Sequence, residues 1–221
     1  MRRRRPGATG DLGQVVDRML DAVPAGRRAL VAVDGIGASG KTTFTAQLAA
    51  QVPDRPVVVL HADDFFHPST VRHARGRLSP EGFWLDAYDY TSLVTLALEP
   101  LRPDGDGWYR PASFDGAHDR TSPAPALRAP DDALVLVEGT FLHRDELRAF
   151  WDWSVYLHVP FDVAARRMAA RDGVDADRVR GPLARYEGAQ RLYFAAATPW
   201  CRASLVVDTT SDVSGPPRRS R

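Results

Sequence analysis

The stretch that most constrains the fold of this chain is VDGIGASGKTT, which runs from Val33 to Thr43. An apolar run, ALVAVD, leads into glycines, and the spacing Gly35-x4-Gly40-Lys41-Thr42 is that of a phosphate-binding P-loop. Glycines allow the tight turn in which successive backbone N–H groups point at phosphate oxygens, and a following helix adds its positive N-terminal end. The segment therefore predicts a strand, a phosphate-binding loop and a helix, in that order.

The loop and the first turn of the helix supply the expected nucleotide-binding residues. Lys41 is a point charge for the β- and γ-phosphates of a nucleotide, and the hydroxyl of Thr42 suits Mg²⁺. Lys41 is also the only lysine among the 29 basic residues. A compact ammonium fits a phosphate cradle where a broad guanidinium does not, so the composition supports the same interpretation. The expected set is Gly35, Gly37, Ala38, Ser39, Gly40, Lys41, Thr42 and Thr43.

Composition indicates one soluble domain. The chain has 221 residues, of which 44% are hydrophobic and 26% charged, enough for a single substantial core. We expect that domain at residues 11–212, between disordered tails at 1–10 and 213–221. The net charge of +1 includes seven tail arginines, so the body between the tails is acidic. An acidic body argues against a nucleic-acid-binding face.

Cysteine usage and hydropathy predict a cytoplasmic protein. The single cysteine, Cys201, cannot form an internal disulfide, which fits a reducing compartment. No apolar run approaches the ~20 residues that a membrane span needs. The arginine-led N-terminus lacks the apolar core of a signal peptide. We therefore expect a cytoplasmic location and no membrane partner.

Short β-branched runs alternate with helical patterns along the chain. Such alternation is typical of βαβ units, and nearly continuous apolar runs are typical of strands covered on both faces. We therefore predict an α/β fold of the P-loop NTPase type, with a doubly wound, mostly parallel five-stranded sheet and flanking helices. The segment GWYRPASFDGAHDR predicts a small hairpin that projects from the sheet. The five predicted strands lie in ALVAVD, RPVVVLHADD, ALVLVEG, WSVYLHV and ASLVVD.

Several classes of P-loop protein are excluded by what the sequence lacks. A GTPase normally recognises guanine through Asn-Lys-x-Asp, and this chain has no lysine outside the P-loop. Motor and transporter ATPases need more chain and further signature motifs. A small-molecule kinase remains, and it needs a base or positioning carboxylate, an acceptor pocket and cationic groups over the phosphates.

Carboxylates follow two of the predicted strands. Asp63 and Asp64 come at the end of the second strand, at the edge of the sheet where doubly wound folds bind ligands. Neighbouring residues of a strand point to opposite faces, so we expect one of the pair at the phosphate. Glu138 ends the third strand as a carboxylate that acts on Mg²⁺ through water. For Asp63 and Asp64 the alternative is a solvated acidic turn, and for Glu138 it is a plain charge at a strand end.

Five segments in order, DGIGASGKTT, ADDFF, LDAYD, VLVEGTFL and RRMAARD, resemble the uridine kinases of the phosphoribulokinase/uridine kinase group of P-loop kinases. The resemblance extends from about residue 28 to about residue 210. It implies that Asp63 is the catalytic base and that Asp86 in LDAYD holds ribose hydroxyls, and a helix-capping role is the alternative for Asp86. It also places Phe114 and His118 against a pyrimidine base, where a hairpin Phe and a solvated His are the alternatives.

The same resemblance implies a lid of arginines over the transferred phosphoryl group. Arg167 and Arg171 are four residues apart and so share one helix face, from which they match the lid arginines. Arg178 and Arg180 follow as weaker candidates, and Arg191 is expected on the acceptor side. Plain surface charge is the alternative for this cluster.

The sequence thus predicts an enzyme, a phosphotransferase with an alcohol acceptor that uses ATP and Mg²⁺. Lys41, Asp63, Arg167 and Arg171 would be catalytic, and Thr42, Asp63 and Glu138 would hold the metal. The favoured acceptor is the 5′-OH of uridine, cytidine or a related nucleoside. The alternatives are another small alcohol, such as a pantothenate-like acid, a sugar or an antibiotic nucleoside, and a non-catalytic ATP-binding regulator. A homo-oligomeric state is compatible with the sequence.

Overall fold

The computed structural model describes residues 11–172 and 176–211. The helices are α1 Leu12–Ala22, α2 Lys41–Ala50, α3 Ser69–Arg72, α4 Pro80–Asp86, α5 Tyr90–Leu93, α6 Glu99–Leu101, α7 Phe161–Asp172, α8 Ala176–Ala197 and α9 Pro199–Arg202. The strands are β1 Ala29–Gly35, β2 Val57–His61, β3 Trp108–Tyr109, β4 Phe114–Asp115, β5 Arg120–Thr121, β6 Leu127–Arg128, β7 Leu134–Gly139, β8 Trp153–His158 and β9 Leu205–Asp208. A π-helical segment, Val94–Leu98, joins α5 to α6, and short 3₁₀ turns lie at Ala62–Phe65 and Arg148–Phe150.

A five-stranded sheet with the order β2-β7-β1-β8-β9 lies at the centre of the described chain. All four of its strand pairings are parallel. Parallel neighbours need crossover connections, and helices supply most of them. The predicted five-stranded α/β sheet is confirmed. Four of its strands fall within the predicted runs, and β1 extends one residue beyond its run, to Gly35.

Helices cover both faces of this sheet. Successive residues of a strand point to opposite faces, and because the strands are apolar on both faces, each face packs against helices. Val31 and Val33 of β1 pack with Met19 of α1 and Leu48 of α2 in one hydrophobic cluster. The intervening side chains of β1 contribute to a second cluster, which includes residues of α4, α5 and α8. Two faces are thus buried, which is why the strands read as nearly continuous apolar runs.

The predicted hairpin lies between the α6 helix and β7. Strand β4 pairs with β5 in antiparallel fashion, so that Phe114 lies opposite Thr121. Outside this hairpin, β3 and β6 form a second antiparallel pair. The insertion is therefore built from two short pairs, both separate from the central sheet.

The predicted tails, residues 1–10 and 213–221, lie outside the described residues, as do the side chains of Arg178 and Arg180. None of the helices in the described part of the chain combines the length and the hydrophobicity that a membrane span requires.

Candidate functional site

The predicted phosphate loop connects β1 to α2. Gly40 precedes the first residue of α2 and has a left-handed backbone with φ +89°, and Ala38 also has a positive φ, +58°. Left-handed residues in a tight loop turn the backbone N–H groups inward, toward an anion. The N-terminus of α2 opens directly from this loop, which adds the positive end of the helix dipole.

Gly35 is required by close packing beneath the loop. A Cβ atom at this position would lie 2.6 Å from Oγ of Ser39 and 2.9 Å from the carbonyl oxygen of Leu157. Both distances are too short for any side chain, so the position admits only glycine.

Lys41 extends back into the loop. Its Nζ donates hydrogen bonds to the carbonyl oxygens of Gly35 and Ile36, both at 3.0 Å. Burial lowers the pKa of Lys41, and the negative charges of Asp63, Glu138 and Asp34 act against that effect. The ammonium is thus held among carboxylates at the position where a phosphate-binding loop requires a cation.

A buried aspartate fixes the strand that leads into the loop. Oδ1 of Asp34 accepts a hydrogen bond from the backbone N–H of Gly35 at 2.7 Å. Its Oδ2 lies 2.7 Å from Nδ1 of His143 and accepts a hydrogen bond from the hydroxyl of Tyr193. Asp34 therefore ties the end of β1 to the segment after β7 and to α8. The sequence pattern of strands and loops did not single out this contact.

Glu138, at the end of β7, faces the start of α2. Its Oε1 accepts a hydrogen bond from Oγ1 of Thr42 at 2.7 Å and lies 2.7 Å from Nδ1 of His61. Burial opposes ionisation of Glu138, but the hydrogen bonds from His61 and Thr42 and the charge of Lys41 outweigh it and lower the pKa. The hydrogen bond to Glu138 correspondingly raises the pKa of His61. His61 is a member of the site that the sequence did not indicate.

Asp63 and Asp64 lie in the 3₁₀ turn after β2, so the expected alternation along a strand does not separate them. Strand β2 ends at His61, before either carboxylate. Oδ1 of Asp63 accepts a hydrogen bond from the hydroxyl of Tyr88 at 2.8 Å, and Asp63 lines a large cavity beside the phosphate loop. Asp64 does not line it. Partial burial raises the pKa of Asp64 above its ordinary value.

A cavity of about 930 Å³ brings these groups together. On one side it is lined by the phosphate loop, the start of α2, Asp63 and Glu138. Helix α7 contributes Arg167 and Arg171, the two arginines that the spacing places on one helix face. An Nη atom of Arg167 donates to the carbonyl oxygen of Thr209 at 2.6 Å, which anchors this arginine beside the loop. The remaining lining residues are Phe66, Arg72, His73, Arg77, Leu78, Phe83, Tyr88, Gly139, Thr140, Met168, Arg185, Tyr186 and Gln190.

The residues predicted to bind the acceptor do not line this cavity. Asp86 is ion-paired with Arg75 at 2.8 Å and does not line the cavity. Phe114 does not line the cavity either, but its ring packs edge-on against the ring of Phe66, which lines the cavity. His118 lies 2.7 Å from Oδ2 of Asp115 on the exposed hairpin.

Arg191, the fourth predicted acceptor residue, pairs with Glu187 one turn earlier on α8. Its guanidinium lies 5.3 Å from the ring centroid of Phe161. The described structure therefore does not bring this arginine to the cavity. It places Arg185 and Gln190 of the same helix there instead.

The residues of the loop edge suit a nucleotide triphosphate and Mg²⁺. Among the described residues, no three His, Cys, Asp or Glu side chains form a metal-binding group by themselves. Mg²⁺ in phosphoryl-transfer sites is held by one or two protein oxygens together with substrate phosphates, so a full protein cage is not needed. Thr42 and Glu138 place a hydroxyl and a carboxylate oxygen within 2.7 Å of each other at the loop, which fits that donor set.

The fold and the loop together define a P-loop protein of the α/β class. No protein-family model matches the chain. The uncharacterized protein YggC of Escherichia coli (strain K12) is 32% identical over 157 residues, which are 64% of this chain and 60% of that protein. Uridine-cytidine kinase B of Dictyostelium discoideum is 27% identical over 160 residues, 72% of this chain and 64% of that protein. The matches thus span less than two thirds of the length of either relative.

Similarity to solved structures extends over more of the chain. A possible uridine kinase from Bacillus stearothermophilus has a TM-score of 0.70 at 24% identity, covering 89% of this chain and 97% of that one. This solved structure supports the fold. The similarity to uridine-cytidine kinase B confirms, more particularly, the resemblance to the uridine kinase-like P-loop kinases.

Proposed function

We propose that this protein is a kinase that transfers the γ-phosphoryl group of ATP to a hydroxyl group of a small molecule. One observation carries the proposal: a single cavity is lined by the phosphate loop, by Asp63, by Glu138 and by Arg167 and Arg171. A site that only holds a nucleotide needs the loop, whereas transfer also needs a carboxylate near the acceptor and cations over the transferred group.

Each residue has a role that its position supports. The loop amides and Lys41 bind the phosphates of ATP, and Arg167 and Arg171 stabilise negative charge on the transferred group. Asp63 accepts the proton of the acceptor hydroxyl, whose oxygen forms a bond to the γ-phosphorus as the bond from that phosphorus to the β–γ bridging oxygen breaks. ADP leaves with the bridging oxygen. Thr42, Glu138 and, as the third predicted ligand, Asp63 would hold Mg²⁺, which would neutralise phosphate charge.

Asp63 is positioned for this role by a neighbour. The hydroxyl of Tyr88 donates to its Oδ1, which leaves Oδ2 for the acceptor. Burial raises the pKa of Tyr88 well above its ordinary value, so the phenol remains a donor across the physiological range.

The 5′-OH of a pyrimidine nucleoside is the acceptor that the names of relatives favour. The alternative within kinases is a different small alcohol, and the positions of Asp86, His118 and Arg191 outside the cavity favour it. The non-catalytic alternative is a regulator that binds ATP without transfer.

An acceptor panel with ATP and Mg²⁺ tests the proposal. We expect ADP release that depends on one class of hydroxylated acceptor. Replacing Asp63 with Asn is expected to lower kcat by about 10²- to 10⁴-fold, since general-base catalysis contributes that much. Asp64→Asn is the matched control, because Asp64 adjoins Asp63 in sequence but does not line the cavity.

Two results would contradict this assignment. Near-full turnover by Asp63→Asn at saturating ATP would remove Asp63 as the base. Tight ATP binding without ADP release, for every acceptor offered, would favour the regulator.

A further inference from the structure

We propose that the acceptor carries an anionic group, a carboxylate or a phosphate, in addition to the hydroxyl that is phosphorylated. This inference rests on the proposed kinase function and specifies the substrate class of the same cavity. It is drawn from the end of the cavity that the phosphate loop does not occupy. We call this end the acceptor end and define it by Arg72, His73, Arg77 and Arg185.

Positive groups converge at the acceptor end. Nη1 of Arg185 donates to the carbonyl oxygen of Arg77 at 2.6 Å and lies 3.5 Å from Nε2 of His73. Arg72 directly precedes His73 on the same segment and also lines the cavity. The carboxylates that line the cavity are Asp63 and Glu138, which belong to the phosphate-loop side.

Only part of this positive charge is neutralised within the described residues. Arg72 pairs with Asp119 at 3.0 Å. In the described part of the chain, Arg77 and Arg185 have no carboxylate within salt-bridge distance, and Nε of Arg185 is buried without a hydrogen-bond partner. A buried guanidinium N–H without a partner is costly, and an anionic oxygen from the acceptor would satisfy it.

Aromatic rings hold these guanidinium groups in place. The guanidinium carbon of Arg185 lies 4.9 Å from the ring centroid of Phe83 and 5.1 Å from that of Tyr186. That of Arg72 lies 5.6 Å from the ring of Phe66 and 5.3 Å from the ring of Phe114. Cations fixed on aromatic faces lose little side-chain entropy when a planar carboxylate or a phosphate binds.

Besides burial, the same positive charges lower the pKa of His73. Burial lowers the pKa of His73, and the charges of Arg185, Arg72 and Arg77 lower it further, while Asp119 acts in the opposite direction. A neutral imidazole can accept the hydrogen bond from Arg185. A neutral nucleoside would leave this excess of positive charge uncompensated, whereas an anionic alcohol would balance it.

Pairs of acceptors that differ only in charge test this inference. We would compare D-glycerate with glycerol, pantothenate with panthenol, and a sugar phosphate with its parent sugar, alongside uridine and cytidine. We expect kcat/KM to be about 10- to 100-fold higher for the charged member of the accepted pair, the range of a hydrogen bond to a charged group. The two sources of charge, carboxylate and phosphate, are separated by which pair responds.

Substitutions of arginines test whether the preference for a charged acceptor arises at the acceptor end. Arg185→Gln is expected to raise KM for the charged acceptor by about tenfold, with little change for the neutral one. Arg75→Gln is the matched control, because Arg75 lies between Arg72 and Arg77 in sequence but pairs with Asp86 outside the cavity. The thermal midpoint and ATP affinity of each variant show that it folds.

A binding measurement keeps the inference testable if turnover is absent. In protein saturated with Mg²⁺ and a non-hydrolysable ATP analogue, we expect D-glycerate or pantothenate to raise the pKa of His73, followed by NMR, and glycerol or panthenol to leave it unchanged. The inference is wrong if uridine or cytidine is the best acceptor and Arg185→Gln has no effect, while the kinase proposal stands. It is also wrong if no anion in the panel shifts His73. Absence of ADP formation with every acceptor would instead remove the kinase proposal.

Discussion

The half-exposed His61 and the buried Glu138 form a pair, and protonation of His61 contributes to stability. The pKa of His61 is raised because Glu138 accepts its hydrogen bond. A group that binds its proton more tightly in the folded chain stabilises the fold fully below its unfolded pKa of 6.5. That contribution is lost as pH rises through the folded-state value.

We therefore expect His61→Gln to lower the free energy of unfolding relative to the wild-type chain at a pH of about 5.5, and the difference to shrink by a pH of about 9. Glu138, whose pKa is lowered below 4.5, remains ionised across this window. Denaturant titrations at the two pH values measure this difference in the free energy of unfolding. In a Glu138→Gln background most of the pH-dependent part should disappear, with the remainder due to Asp63 and Asp64. An equal difference at both pH values in the wild-type background would contradict the assignment.

At the scale of single residues, the sequence predicted the phosphate side of the site better than the acceptor side. Lys41 and Thr42 follow from a motif with fixed local spacing, and Glu138 follows from its place at the end of a strand. His61 and Arg185 reach the site through contacts between elements distant in sequence, which no local spacing encodes. Asp86 matched a family pattern, but Arg75 holds its carboxylate outside the cavity.

Helix α8 carries Arg185 and Gln190 to the cavity, and its position depends on close contact with α4. A Cβ at Gly188 would lie 2.7 Å from Cγ of Pro80, at the first residue of α4. We expect Gly188→Ala to force the two helices apart and to lower the free energy of unfolding by about 1–3 kcal/mol, the usual cost of overpacking.

Gly13→Ala in α1 is the matched control for that substitution. A Cβ there meets nothing closer than 3.7 Å, so the gain in helix propensity should stabilise the chain by roughly 0.5–1 kcal/mol. Chemical denaturation of both variants measures whether each substitution raises or lowers the free energy of unfolding. A stabilising Gly188→Ala would show that α8 does not depend on this contact.

Among the elements, the strands of the central sheet were predictable because each is an apolar run buried on both faces. The turn that carries Asp63 was not, since four residues of 3₁₀ structure leave no periodic signal and the apolar run before them continues into it. The segment from Phe66 to Ser79 supplies Arg72, His73 and Arg77 of the acceptor end. It contains only the four-residue helix α3, which leaves no periodic pattern in the sequence.

At the scale of the whole molecule, ATP binding should appear as added stability. A ligand that binds only the folded state stabilises it by about 2.7 kcal/mol at a concentration one hundred times its dissociation constant. We expect Mg·ATP to raise the thermal midpoint of the wild-type chain, and Lys41→Met to lose most of that increase because the loop loses its cation.

The comparison uses the shift and not the midpoint itself, since removing the hydrogen bonds of Lys41 to Gly35 and Ile36 also changes the unliganded stability. Asp64→Asn should keep the full shift. An undiminished shift in Lys41→Met would place the nucleotide elsewhere.

The strand order has a consequence for biosynthesis. Strand β1, which leads into the phosphate loop, pairs with β7 and β8, and Ala29 lies opposite Leu134. Strand β2 pairs only with β7 in the described sheet. A nascent chain that has not yet reached Leu134 therefore contains the entire loop motif but no neighbour for the strand that supports it. Such long-range pairing slows folding. Nucleotide affinity should thus be acquired late in translation, once the middle of the sheet has closed.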